Sequence, residues 1–125
     1  MSNYKIKSVA KRELQIAALR WFREYYPEYE DLLIALPNGF RAQFDNKTNK
    51  NLKELGFKDY TPDLFLAVET SYYRGLFVEL LPRGERLRKT KYEYFEKLRI
   101  NGYRVAIVRD MKDFEDIIKN YLVNL

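Results

Sequence analysis

The sequence predicts an α/β protein in which helices flank a mixed β-sheet, built as one domain over residues 1–125. A chain of 125 residues suits a single hydrophobic core. Hydrophobic residues at 46% and charged residues at 33% are typical of globular proteins. Amphipathic stretches at helical spacing alternate with short apolar runs, which gives the order α-β-(β)-α-β-β-α-β-α.

The first half of the chain contains a long helix, a strand with a turn and a short helix. The helix is predicted from Ser8 to about Tyr26 and stops at Pro27. A strand over residues 32–36 is closed by Pro37-Asn38-Gly39, and residues 40–44 return as a second strand. A short helix around residues 49–55 ends at Gly56. The apolar residues that predict the first helix are Val9, Ile16, Leu19, Phe22 and Tyr26.

The second half begins with two strands, over residues 63–68 and 76–81, joined as a hairpin. Thr90 and Glu93 match a capping box, which predicts a helix with Thr90 as its N-cap, running to about Asn101. Gly102 ends that helix. A β-branched run over residues 103–108 predicts a buried strand, and residues 111–122 form an amphipathic helix.

Two absences restrict the chemistry. The sequence has no His and no Cys, which excludes an imidazole base, a thiolate nucleophile and an ordinary zinc site. A metal bound here would be a hard cation on oxygen ligands, Mg²⁺ or Mn²⁺. The lack of Cys also fits a reducing compartment.

The charge distribution favours a polyanionic partner. The net charge is +5, and residues 83–104 hold eight basic and three acidic residues, so this segment accounts for the whole excess. No run of about 18 apolar residues occurs, and the N-terminal residues lack the apolar core of a signal peptide. We therefore expect a cytoplasmic protein with no membrane partner.

Two acidic residues on neighbouring strands outline a metal site. Asp63 begins one predicted strand and Glu79 lies in the next, and Glu13 on the first helix is a possible third carboxylate. Without His, hydrolysis of a phosphodiester needs a group that acidifies the attacking water and neutralises phosphate charge, and a carboxylate-held Mg²⁺ does both. The alternative is that Asp63 only starts a strand and Glu79 is solvated; judged on the acid pair alone, this alternative is favoured, because such pairs are common.

The order of several short motifs resembles the VRR-NUC domain family of the PD-(D/E)xK nuclease superfamily, over nearly the whole chain. No single motif is specific, but their order and spacing together are. They are Glu13-Leu14-Gln15, Trp21, Leu36-Pro37-Asn38-Gly39, Gly56, Pro62-Asp63, Gly75-Leu76-Phe77-Val78-Glu79, Gly102-Tyr103-Arg104-Val105 and Val108-Arg109.

This resemblance implies a restriction-endonuclease-like fold and a metal-dependent endonuclease of phages or bacteria that cuts branched DNA such as Holliday junctions. The small stand-alone members of the family work as homodimers. Carried over to this sequence, the metal ligands are Asp63, Glu79 and the Leu80 carbonyl, and Glu13 holds a metal-bound water. Gln15 matches a polar position of the first motif and is assigned to DNA contact.

The chain departs from the family pattern at three positions. Leu81 stands where the family has Lys, Lys91 where it has Gln, and Tyr60 where it usually has Gly. One interpretation is that the amine has moved to Lys91, which shares a helix face with Phe95 and Leu98, with Lys89 in reserve. The other is that Lys91 extends to solvent and catalysis has been lost.

A basic segment borders the predicted site. We expect Arg83, Arg86, Arg88 and Lys89 to contact phosphates without reading bases, although an ordinary solvated loop has the same composition. Six tyrosines are possible stacking platforms for exposed bases, but core and interface packing is the more common role: Tyr25, Tyr26, Tyr72, Tyr73, Tyr92 and Tyr94. The rival functions are a catalytically inactive nuclease fold that binds nucleic acid and a protein-interaction module.

Overall fold

A computed structural model describes residues 3–37 and 45–125, with side chains from residue 9 onwards. It confirms the α/β class. The predicted strand over residues 40–44 and most of the turn before it lie outside the described residues. The elements are α1 Asn3–Tyr25, a 3-10 helix Pro27–Leu32, β1 Leu33–Ala35, α2 Asn46–Glu54, β2 Leu64–Leu66, β3 Leu76–Leu80, α3 Lys89–Ile100, β4 Arg104–Val108 and α4 Met111–Leu122.

The four described strands form one mixed sheet in the order β1-β2-β3-β4. β1 pairs with β2 and β2 with β3 in antiparallel fashion, with Leu64 opposite Val78. β3 and β4 are parallel, with α3 as the crossover between them. β4 is an outer strand of the described sheet, and the Val105 carbonyl accepts hydrogen bonds from the Arg99 and Arg104 guanidiniums at 3.0 and 2.9 Å.

Strand β3 separates two layers. Leu76, Val78 and Leu80 are fully buried in an apolar core. Because side chains alternate along a strand, Phe77 and Glu79 point to the opposite face. There Glu79 meets α3, whose inward face includes the buried Lys91. The helical residues of the apolar core come from α1 and α4: Ala18, Phe22, Phe114, Ile118, Tyr121 and Leu122.

Helix α1 begins earlier than predicted, and its predicted apolar face meets the core only in the second half of the helix. Phe22 lies in the core and Leu19 and Tyr26 pack against it, whereas Val9 is 50% exposed. Because α1 packs against both the sheet and α4, tertiary packing sets its rotation. None of the helices in the described ranges is long and apolar enough to cross a membrane.

The two helices of the C-terminal half begin differently. The prediction of Thr90 as the N-cap of α3 is wrong: Arg88 occupies that position, without a side-chain cap, and Glu93 pairs with Lys89 instead. In α4, Asp110 is the N-cap and accepts the Asp113 N–H at 2.9 Å. A real cap therefore fixes the start of α4 but not that of α3.

Candidate active site

The structure brings Asp63 and Glu79 together. Asp63 directly precedes β2, and its N–H donates to the Val78 carbonyl at 3.0 Å, which continues the pairing of β2 with β3. Since Leu64 and Val78 face the apolar core, Asp63 and Glu79 both point away from it. Asp63 is 3% exposed and Glu79 1%. The two carboxylates thus form a buried acidic pair on the α3 side of the sheet.

Backbone and side-chain donors hold this pair. The Leu80 N–H donates to Asp63 Oδ2 at 2.7 Å, and the Lys91 ammonium donates to Glu79 Oε2 at 2.7 Å. No hydrogen-bond donor in residues 9–37 or 45–125 reaches Glu79 Oε1, which is buried. One oxygen of the pair therefore keeps its acceptor capacity inside the protein.

Lys91 lies on the inward face of α3. Its side chain is 8% exposed, one turn before the fully buried Phe95. The i, i+4 spacing of these two residues is the reason why the ammonium faces the sheet. An amine thus reaches Glu79 from a helix, while Leu81, directly after β3, is buried and apolar.

A second lysine at this site, Lys11 on α1, was missed by sequence reasoning. Its ammonium lies 3.0 Å from Asp63 Oδ1 and 3.9 Å from Glu79 Oε2. Lys11 precedes Ala18 and Phe22 by seven and eleven residues, which places it on the core-facing side of the helix. This spacing of a lysine from the core residues Ala18 and Phe22 is the feature of the sequence that could have identified Lys11.

The pKa of Glu79 is strongly perturbed. Burial, followed by the negative charge of Asp63, raises it from its usual 4.5 to about 7, against the opposing effect of Lys11 and Lys91. For Lys11, burial works to lower the pKa, but the charges of Asp63 and Glu79 outweigh it, so the net pKa lies above its usual value. A buried group that titrates near neutrality is typical of functional sites.

The two residues of α1 that were predicted to belong to the site, Glu13 and Gln15, lie on different sides of the helix. Glu13 is exposed, because two residues along a helix turn it about 200° away from Lys11. It is not brought together with the acidic pair. Gln15, one turn after Lys11, is half-buried on the same side of the helix as that lysine. Of Leu80, the backbone N–H is the group engaged with Asp63.

Two arginines of the basic loop after β3, residues 81–88, bind groups elsewhere in the protein. Arg83 pairs with Asp110 at 2.8 Å, and Arg88 donates to the Asp59 carbonyl at 3.1 Å. Arg86 is exposed, and Lys89 pairs loosely with Glu93. The loop connects Leu80 to α3, so it borders the acidic pair as expected.

The tyrosines divide between surface and packed positions. Tyr25, Tyr72, Tyr73 and Tyr92 are exposed, whereas Tyr26 is half-buried. Tyr94 is also half-buried and packs edge-on against Tyr60 at 5.0 Å between ring centroids. Base stacking by the exposed rings stays a prediction.

The donor chemistry of the pair fits a hard divalent cation. Two carboxylates supply oxygen ligands, and Glu79 Oε1 is a buried acceptor without a donor among the described residues. Within the part of the chain that the structure describes, no third acidic residue joins them in a group that could hold a metal. The Lys11 ammonium instead lies against both carboxylates.

The fold has a counterpart among solved structures. A structure described as a "VRR_NUC domain protein" superposes with a TM-score of 0.78 and 19% sequence identity, covering 91% of this chain and 88% of that one. No protein-family model matches the sequence, and a search of the curated proteins returns no match. At this identity the similarity shows a common fold, the mixed sheet with flanking helices that this chain shares with the VRR_NUC domain protein.

Proposed function

We propose that this protein is a Mg²⁺- or Mn²⁺-dependent DNA endonuclease that hydrolyses phosphodiester bonds. The observation that carries the proposal is the buried pair of Asp63 and Glu79 with the Lys91 ammonium on Glu79 Oε2. The pair lies in a fold shared with a VRR_NUC domain protein. Branched DNA as substrate and a homodimer as the working form belong to the same proposal.

Asp63 and Glu79 are the side chains that would hold the cation, with the Leu80 carbonyl as a third ligand. Bound there, the cation would acidify a water and neutralise charge on the phosphate. The Leu80 N–H orients Asp63 by its 2.7 Å hydrogen bond. Orientation of this kind prepares the ligand for its task before any cation arrives.

Lys91 has two consequences for the site. Its ammonium at 2.7 Å fixes Glu79 Oε2 and leaves Oε1 as the free acceptor. The same positive charge favours the ionised form of Glu79, which is the form that binds cations. In this proposal Lys91 supplies the amine that the strand lacks at Leu81, and phosphate contact by its ammonium is expected.

DNA would approach over the basic loop. Arg83 and Arg86 are exposed, and so are Arg88 and Lys89 at the start of α3. Exposed guanidinium and ammonium groups near a site attract the DNA backbone without selecting bases. Glu13 is exposed and does not lie with the acidic pair. It would hold a water at the site only in the complex with cation and DNA.

The test is cleavage of labelled four-way junction, flap and linear duplex DNA with Mg²⁺, Mn²⁺ or EDTA. We expect cutting that requires metal and falls by at least a hundredfold in Asp63→Asn, as is common when a charge-stabilising group is removed. Asp116→Asn, an exposed residue that pairs with Lys112 at 3.3 Å, is the matched control. Cutting by Asp63→Asn at the wild-type rate would reject the proposal.

A second candidate function, a nucleic-acid binder without catalysis, is favoured by the Lys11 contact. An ammonium 3.0 Å from Asp63 Oδ1 balances the acidic pair without a metal. This function predicts salt-dependent binding of the junction and no cutting with either metal. Junction binding by the wild-type protein, with no cutting in Mg²⁺ or Mn²⁺, would select it.

A further inference from the structure

Lys11 closes the acidic pair on its solvent side. Its side chain is 26% exposed, whereas those of Lys91, Asp63 and Glu79 are 8%, 4% and 1% exposed. Lys91 is therefore the more buried of the two lysines at the acidic pair, and Lys11 is the one that solvent reaches.

The charges of the four side chains balance in the state in which Glu79 is ionised. With both carboxylates ionised, the two ammonium groups neutralise them. Addition of a divalent cation to this buried cluster leaves two uncompensated positive charges, which is costly in a poorly solvated place. Departure of one ammonium lowers that excess. Lys11 is the one able to leave, because its side chain is long, flexible and partly exposed.

We propose that the Lys11 ammonium is an internal counterion that occupies the cation's place between Asp63 and Glu79, so that a divalent metal binds only when Lys11 is displaced. This inference rests on the proposed metal-dependent function and deepens it. It makes Lys11 an autoinhibitory contact built into α1. Lys91, by contrast, keeps its contact with Glu79 in both states.

The first test measures Mn²⁺ binding by titration calorimetry, with wild type, Lys11→Met and the control Lys112→Met. Met keeps the length of the stem without the charge, and Lys112 is a surface lysine paired with Asp116. We expect Lys11→Met to lower the Kd for Mn²⁺ by at least tenfold and Lys112→Met to leave it unchanged. Asp63→Asn should abolish the tight binding of Lys11→Met.

Two results overturn the inference and differ in what they say about function. If wild type and Lys11→Met bind Mn²⁺ with equal Kd, Lys11 does not compete, and the nuclease proposal stands. If neither binds Mn²⁺, removal of the counterion does not open a metal site, and the metal-dependent function falls together with the inference.

A second measurement uses the wild-type protein, in case Lys11→Met does not fold. Acetylation of each lysine by an amine-reactive ester is followed by peptide mass spectrometry with and without Mn²⁺. We expect Mn²⁺ to speed modification of Lys11 at least threefold, since displacement frees its amine. Lys112, which is 83% exposed, should react at the same rate throughout. An unchanged Lys11 rate at saturating Mn²⁺ would refute the displacement.

Discussion

The two faces of β3 are held by different forces. Toward α1 and α4, Leu76, Val78 and Leu80 are fully buried, and each contributes about 1.5–3 kcal/mol by leaving water. Toward α3, the same strand buries Glu79, a group that costs free energy to remove from water unless it is paired. The first face therefore stabilises the fold. On the second face Phe77 and Phe95 also pack, but the burial of Glu79 there depends on ammonium groups and does not by itself stabilise the fold.

The largest expected effect comes from breaking the apolar face. Phe114→Ala removes a fully buried ring that packs edge-on against Trp21 at 5.8 Å between ring centroids. We expect the free energy of unfolding to fall by about 3–5 kcal/mol in urea denaturation followed by circular dichroism. Ile100→Ala, at a residue that is 83% exposed, is the control and should change it by less than about 0.5 kcal/mol. Equal losses in both variants would contradict the assignment of the core.

Breaking the polar face should cost somewhat less and depend on pH. Lys91→Met leaves Glu79 buried without its closest counterion, so we expect a loss of about 3 kcal/mol at pH 8. At pH 5 the loss should shrink, because Glu79 can then carry a proton. Lys89→Met, two residues away and 90% exposed at the side chain, should have little effect at either pH. A loss in Lys91→Met that is the same at both pH values would show that Glu79 does not change its protonation between pH 5 and pH 8.

The pH dependence of stability that Glu79 causes is a further test of the difference between the two faces of β3. The pKa of Glu79 is about 7 in the folded protein, above its usual 4.5. Between pH 4.5 and 7, therefore, the folded state holds a proton that the unfolded state has released. The stabilisation is thus complete below pH 4.5 and is lost as pH rises through 7, by up to about 3 kcal/mol. Subtracting the stability of Glu79→Gln at each pH isolates this effect. A difference that is flat from pH 4 to 8 would be incompatible with the raised pKa.

The smallest expected effect on stability comes from the N-terminal caps, which differ between α4 and α3. Asp110→Ala removes the side-chain cap of α4 and should cost about 1 kcal/mol. Thr90→Ala, inside the first turn of α3, should change stability by less than about 0.5 kcal/mol. Thermal unfolding of both variants gives the comparison. A greater loss in Thr90→Ala would restore Thr90 as a cap.

The polar face could be predicted from sequence where local rules determine it. Alternation along two adjacent strands was enough to bring Asp63 and Glu79 together, and the spacing of Lys91 and Phe95 placed an amine opposite them. These features depend on neighbours in sequence or on one pairing. The mixed sheet with flanking helices followed from the order of the elements in the same way.

What sequence could not supply depends on tertiary packing. The rotation of α1 is set by its contacts with α4 and the sheet. This rotation places Lys11 at the acidic pair, where the sequence analysis had expected Glu13. The start of α3 is set by the loop before it, where Arg88 is held at the Asp59 carbonyl. A capping-box sequence at Thr90 and Glu93 cannot outweigh that anchor.

The two guanidiniums on the Val105 carbonyl have a consequence for assembly. An outer strand with free backbone acceptors invites another strand to add to the sheet, by aggregation or by pairing between subunits. Here Arg99 and Arg104 already occupy the outward acceptor at the middle of β4. Growth of the sheet through β4 would require both side chains to withdraw. The homodimer proposed above is therefore not expected to form by strand addition at β4.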